Sequence, residues 1–158
     1  MKLALFLLYS LPFTVFCQSG DNLFIDGFTF TLNDTIENGI SMVAIDIKQG
    51  RNTYITSLSN EDGKFQAGLS LGHVYTIQVS KRGYYSKSIL IDLTGIPSSD
   101  AEGGFLMELR FSLIPDTNKK DRRLLRKKPL GICSYNASTK QLEFDMDYTA
   151  TIKSKLHH

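Results

Sequence analysis

The chain predicts a mainly β fold, a seven-stranded antiparallel β-sandwich followed by a short C-terminal α/β tail. Three observations predict it. Apolar and polar residues alternate with period two along most of the segment from Phe24 to Ile114, the pattern of strands with one buried face. Turn-forming clusters at Glu37-Asn38-Gly39, Gln49-Gly50-Arg51-Asn52 and Asn60-Glu61-Asp62-Gly63 punctuate that alternation. The runs follow one another at intervals of 8–15 residues with no convincing helical period between them, which is the spacing of a sandwich.

Phe24 to Leu32 reads as the first strand, with Phe24, Phe28, Phe30 and Leu32 on one face. Asn33-Asp34 and Glu37-Asn38-Gly39 read as turn chemistry. Met42 to Lys48 places Val43, Ile45 and Ile47 inward, and a hairpin loop at 49–52 leads into Thr53 to Leu58, rich in Thr, Tyr and Ile. Asn60 to Gly63 turns the chain into Lys64-Phe65-Gln66. His73, Tyr75, Ile77 and Val79 share one face of the next strand, and Ile89, Ile91 and Leu93 share one face of the strand after it, with Lys87 between turn and core. The loop from Gly95 to Gly104 is longer than a hairpin needs and contains Pro97, so it crosses between sheets. The last strand, Phe105 to Ile114, sets Met107, Leu109, Phe111 and Leu113 on one face.

Lys2 followed by the apolar run Leu3 to Phe16 has the layout of a secretory signal peptide and is too short to span a bilayer. Cleavage is expected just before or after Gln18, with Val15 and Cys17 at the −3 and −1 positions. Lipidation of Cys17 is the lesser reading, because Phe16 is larger than the residue that normally precedes a lipidated cysteine. About 140 residues remain after removal, enough for one well-buried domain and a modest appendage. The resulting organisation is a signal peptide over 1–17, the sandwich over 22–114, a basic linker over 115–129, and a small hairpin plus C-terminal helix over 130–158. The hairpin pairs Ile132 to Tyr135 with Leu142 to Phe144. In the helix Tyr148, Ile152 and Leu156 recur every four residues, and Asp145 and Asp147 favour the start, while the alternation of Tyr148, Ala150 and Ile152 leaves a strand as the other reading.

Eighteen basic residues against sixteen acidic ones make the chain nearly neutral. The balance hides an asymmetry. Lys119, Lys120, Arg122, Arg123, Arg126, Lys127 and Lys128 stand together with only Asp121 among them. With that run and Lys2 set aside, ten basic residues face fifteen acidic ones. With Cys17 removed, Cys133 is alone, so it is either a buried inert thiol or paired between chains; its neighbours Leu130, Gly131 and Ile132 favour burial.

A likeness then becomes visible in order along the chain. Gly39-Ile40-Ser41-Met42-Val43-Ala44-Ile45, Thr56 through Asp62-Gly63-Lys64-Phe65, Gly72-His73-Val74-Tyr75-Thr76-Ile77 and Ser80-Lys81-Arg82-Gly83-Tyr84 closely resemble the carboxypeptidase regulatory-like domain. The resemblance covers about Leu23 to Ile114 and implies a transthyretin-like (prealbumin-like) sandwich. In that family Asp-Gly-Lys-Phe is a β-turn entering a strand, and the domain is an accessory module beside catalytic domains. Residues 129–156, with Tyr135 and Phe144-Asp145-Met146-Asp147-Tyr148-Thr149, resemble the segment that follows this domain in some exported proteins of Gram-negative bacteria.

No constellation for catalysis stands out. A zinc hydrolase needs three convergent ligands, and the only histidines are His73, His157 and His158. There is no phosphate-cradling loop and no dinucleotide fingerprint. Asn60-Glu61-Asp62-Gly63 and Asp145-Met146-Asp147 lack calcium-loop spacing and are explained by a turn and a helix cap. No catalytic residue, metal or cofactor is expected, and the chain is read as not an enzyme.

Two surfaces remain as candidates. Tyr84 and Tyr85, beside Lys81 and Arg82, offer rings that stack on sugars. The basic run at 119–128 offers electrostatic docking on lipid headgroups or an acidic partner, weakened by salt. It has no interleaved aromatic residue, so nucleic acid is not expected. The expected function is an exported binding or scaffolding module of the bacterial cell envelope, in the periplasm, on the outer membrane or secreted, with an envelope protein or glycan as partner. A carbohydrate-binding module is the runner-up, and a small hydrolase using Cys133 or the acidic pairs is the least supported class.

Overall fold

A computed structural model describes residues 22–33 and 35–156. The signal-peptide reading, Cys17, His157 and His158 lie outside the described residues. In order come β1 (Asn22–Asn33), β2 (Ile36–Gly39), β3 (Ala44–Gln49), β4 (Asn52–Leu58), β5 (Lys64–Ser70), β6 (Val74–Ser80), β7 (Lys87–Asp92), a 3-10 turn (Ser98–Asp100), β8 (Phe105–Ser112), α1 (Lys119–Lys127), β9 (Gly131–Asn136), β10 (Gln141–Phe144) and α2 (Met146–Ser154). The molecule is mainly β, with two sheets and two short helices.

The larger sheet runs β10-β9-β7-β6-β3-β4. The smaller one is built around β1, which pairs antiparallel with β5 over Asn22 to Phe28 and antiparallel with β2 over Phe30 to Asn33. Its other edge pairs with β8 in parallel from Leu23 to Phe30. The expectation of a wholly antiparallel sheet is therefore corrected at two places, β1–β8 and β7–β9. Parallel neighbours need a crossover connection. Pro97 and the turn after it carry the chain from β7 to β8, and α1 carries it back to β9. The strand count is corrected too. Glu37-Asn38-Gly39, read as a turn, is the short strand β2, with Leu32 opposite Glu37 and Phe30 opposite Gly39.

Apolar side chains from both sheets meet in one core. Val43, Ile45, Ile47, Tyr75, Ile77, Val79, Ile89 and Ile91 come from the larger sheet, and Leu23, Ile25, Phe65, Leu69, Met107, Leu109 and Phe111 from the smaller. The alternation of β3, β6, β7 and β8 is the predicted one. The residues grouped on one face of β1 do share it, and it is the outer face. Leu23, Ile25, Gly27 and Thr29 point inward, while Phe24 and Leu32 stand exposed on the outer face. At Gly27 the inward position has no room for a side chain, because the Phe65 ring lies across it where an added Cβ would fall 2.1 Å away.

Thr29 marks the point where β1 changes partner. Its N–H donates to Gly63 O at 2.8 Å, its carbonyl accepts from Ile40 N at 2.9 Å, and its buried hydroxyl reaches both Ile40 O and Gly63 O. Asn60 shapes the turn that brings Gly63 there: its Oδ1 accepts from Asp62 N and Lys64 N, so this segment is the turn expected. Gly63 has φ +81° and leaves no room for a Cβ, which would sit 2.3 Å from Thr29 O. A left-handed φ and a backbone clash at one residue compound each other. Gly63→Ala is expected to destabilise the protein by about 2–4 kcal/mol, read as a lowered urea midpoint with an unchanged slope.

The region beyond Ile114 differs in part from its reading. The hairpin and the C-terminal helix form as expected, and Asp145 caps α2 by accepting from Tyr148 N at 2.8 Å. Yet the hairpin is no separate tail: β9 lies beside β7 and extends the larger sheet. Residues 115–129 are not an unstructured linker, since nine of them form α1. Asn118 supplies its cap, and Asp121 and Leu125, four apart, share the buried face.

Candidate functional site

The basic run lies on a capped helix. Asp121 and Leu125 turn inward, so Lys119, Lys120, Arg123, Arg126, Lys127 and Lys128 are left in solvent. Arg122 is tied to Asp116 at 2.6 Å, which raises its pKa. Among the described residues none of the other six forms an ion pair with a carboxylate. Lys119, Lys120, Arg123, Leu124, Lys127 and Lys128 surround a shallow hollow of about 560 Å³. That is a concave cationic surface with one apolar residue in it.

Tyr85 holds this helix in place. It is 0% exposed, and its hydroxyl accepts from Asn118 N at 2.6 Å and Thr117 N at 3.2 Å, the two amides that lead into α1. This corrects its reading as a sugar-stacking residue, because a buried ring offers no face to a ligand. Tyr84 is half-buried against the core and bridges to Pro115. Lys81 donates to Ser41 O at 2.8 Å, and Arg82 alone of the four is exposed. The four residues do not form a stacking platform.

Exposed apolar residues gather elsewhere, on the outer face of the smaller sheet. Phe24 is 58% and Leu106 80% exposed, flanking a hollow with Asp26 and Gln66. Further along that face Arg110 lies over Phe28 and Phe30, 5.1 and 5.5 Å from their centroids, and pairs with Glu37. The alternation of β1 carries this signal, since both of its faces are apolar.

Of the titratable groups inside the molecule, Cys133 and Lys87 are shifted furthest. Cys133 is fully buried and unpaired, and burial first, then Glu143, pushes its thiol up to about 11. Few thiols so placed are ionised near neutrality, so it is a poor nucleophile. Lys87, 6% exposed, points into the space between the sheets and donates to Ser112 O. Burial first, then Lys153, lowers its pKa to about 8. Nearer the surface, Tyr135 and Lys140 both bind the Asp100 carboxylate, tying the crossing loop to the hairpin. Asp100 is held below its ordinary value by Tyr135 and then Lys140. His73 is exposed, its Nδ1 accepting from Gln49. Among the described residues no three of His, Cys, Asp and Glu converge as metal ligands. No described helix is long and apolar enough to cross a membrane.

No protein family matches the chain. No curated protein matches it either. Solved structures do. The Bacillus anthracis TIE protein is similar at 14% identity and a TM-score of 0.45, over 59% of this chain and 16% of that one. The 3-chlorocatechol 1,2-dioxygenase of Rhodococcus opacus 1CP is similar at 14% identity and 0.42, over 60% of each. The dioxygenase domain of a dioxygenase carbohydrate-binding protein fusion from Streptomyces sp. SirexAA-E is similar at 15% identity and 0.37, over 63% and 82%. The chain thus spans a small part of the first and 60% of the second. What is shared is a β-rich fold. The expectation that the chain is not an enzyme is corrected by this comparison, because two of these neighbours are dioxygenases. At such TM-scores no activity passes from them to this chain.

Two measurements follow from the geometry. Tyr85→Phe removes the acceptor of two amides and is expected to cost about 1–3 kcal/mol, with faster hydrogen exchange at Thr117, Asn118 and Lys120. For Lys87, the folded pKa of about 8 lies below the ordinary 10.5. Below pH 8 the lysine is charged in both states and the fold carries the full desolvation cost. Between 8 and 10.5 the folded chain sheds the proton first, so stability rises; above 10.5 the cost is gone. The shift corresponds to about 3 kcal/mol, against which the bond to Ser112 returns about 1–2. Lys87→Met is therefore expected to be more stable than the parent at pH 7 by about 1–2 kcal/mol, an advantage that disappears by pH 11. Paired urea titrations at the two pH values check it.

Proposed function

We propose that this protein is an exported binding or scaffolding module of the bacterial cell envelope, which docks on anionic surfaces through the cationic face of α1. The observation that carries the reading is the fixed array of Lys119, Lys120, Arg123, Lys127 and Lys128 around one hollow. A solvated linker has no reason to bury Asp121 and Leu125 or to be clamped by Tyr85. The apolar run at Leu3 to Phe16 supports export. The ordered motifs from Gly39 to Tyr84 support a carboxypeptidase regulatory-like, transthyretin-like sandwich as the platform.

The magnitude sets the mode of action. About 1 kcal/mol per basic residue near an anionic membrane gives these five cations about 5 kcal/mol, an affinity near the millimolar range. Docking of that strength is reversible and concentrates the module at a surface without anchoring it. The full chain is expected to float with phosphatidylglycerol vesicles in 20 mM salt, to be released near 300 mM, and to ignore phosphatidylcholine vesicles. Replacing Lys120, Arg123 and Lys127 by Glu is expected to abolish flotation with the melting temperature little changed. Flotation that survives both salt and charge reversal would refute the reading. Vesicles left unbound while an acidic envelope protein is retained in a salt-sensitive way would move the docking to that protein.

A further inference from the structure

We propose that the groove between the free edge of β8 and helix α2 receives an extended peptide, which adds a strand to β8 and sets a carboxylate beside Lys153 and Lys87. The groove holds about 300 Å³, the small end of ligand-sized sites. Leu109 and Phe111 form one wall, Ile89, Leu130 and Phe144 the floor, and Met146, Thr149 and Lys153 of α2 the other wall. Met146 is 70% exposed there, an unbranched, adaptable side chain at the rim.

The backbone of β8 supplies the pairing groups. Leu113 N donates to Phe30 O at 2.7 Å, continuing the ladder with β1. Strand alternation then turns the N–H and C=O groups of Glu108 and Arg110 away from β1. Among the described residues nothing pairs with them, whereas Ser112 O at the end of the same edge accepts from Lys87 Nζ at 2.5 Å. Natural edges are blunted with proline, bulges or cover. Phe105–Ser112 has no proline, and its register with β1 shows no shift.

Charge selects the occupant and its direction. Lys87 is buried and, among the described residues, bonds only the Ser112 carbonyl, and Lys153 of the groove wall is near enough to affect its titration. Both cations mark the Ser112 end. Arg110 does not compete, since it is paired with Glu37 on the outer face. Glu108 and Arg110 reach the groove through their backbone, since alternation sets both side chains on the outer face. A carboxylate is therefore attracted at the Ser112 end, where Lys153 lines the groove. Strand addition gains affinity from main-chain bonds and specificity from alternate side chains, and the apolar floor accepts one row of them.

The test uses the full chain and a display library of random heptapeptides with free C-termini. Enriched peptides are expected to alternate apolar residues and to carry an acid at one end, and that acid is then replaced by its amide. Amide replacement and, separately, Lys153→Glu are each expected to weaken binding at least ten-fold, while Lys155→Glu leaves it within two-fold. The Glu108 and Arg110 amides are expected to gain protection from hydrogen exchange on binding. Failure to enrich any peptide, equal binding of acid and amide, or unprotected Glu108 and Arg110 amides would overturn the proposal. A dimer in sedimentation that protects those two amides without peptide would assign the edge to a second copy, and would overturn it as well.

Discussion

The two sheets are unequal in width. Six strands lie in one layer, while the other is only three strands across, because β2 and β5 share one edge of β1 end to end and β8 takes the other. Apolar surface on the wider layer that finds no opposing strand must be covered or face water. Helix α2 meets part of that need: it packs on β9 where Gly131 has no side chain, with Phe144 and Thr149 3.2 and 3.5 Å from the position a Cβ would take. The cover is incomplete. What remains beside α2 is a slot along the unpaired side of β8, and a lysine is buried at its end.

This mismatch explains which parts of the fold were legible. Strands β3, β6, β7 and β8 have one wet and one dry face, so alternation alone fixed their inner residues: Val43, Ile45 and Ile47 in one, Met107, Leu109 and Phe111 in another. Strand β1 is the centre of the narrow layer and is apolar on both sides, so period-two reasoning had two answers. The deciding facts, the Phe65 ring over Gly27 and the Thr29 hydroxyl between two carbonyls, are long-range. Strand β2 was invisible because Ile36–Gly39 has turn composition, and its pairing is imposed by β1. Parallel pairing of β1 with β8 joins segments far apart in sequence, and no local pattern announces it.

The candidate surfaces divide in the same way. That the cations between Lys119 and Lys128 form a patch was readable from composition alone. That they sit on a helix was half readable, since Asn118, Asp121 and Leu125 hold cap and stripe positions, but two leucines among many charges make a weak period. The role of Tyr85 was not readable. A tyrosine beside Lys81 and Arg82 looks exposed by association, and only the path of the chain after Ile114 shows that its hydroxyl is consumed by Thr117 and Asn118. Lys87 was missed because strand position predicts a direction while residue type predicts solvent, and direction won.

A flexible linker and a fixed helix carrying the same cations are different devices. Ordering a free chain on a surface costs conformational entropy, about 1–2 kcal/mol per backbone residue, which would cancel much of the attraction from so few charges. Here that entropy is lost in folding. Asp121 and Leu125 inside, Asn118 at the cap and Tyr85 beneath spend it before any partner arrives, leaving Lys120, Arg123 and Lys127 on one side of the helix. Preorganisation makes weak charges sufficient for reversible docking. It also orients the body behind them, so that a module held by α1 keeps a defined face, and the slot beside β8, turned in a defined direction.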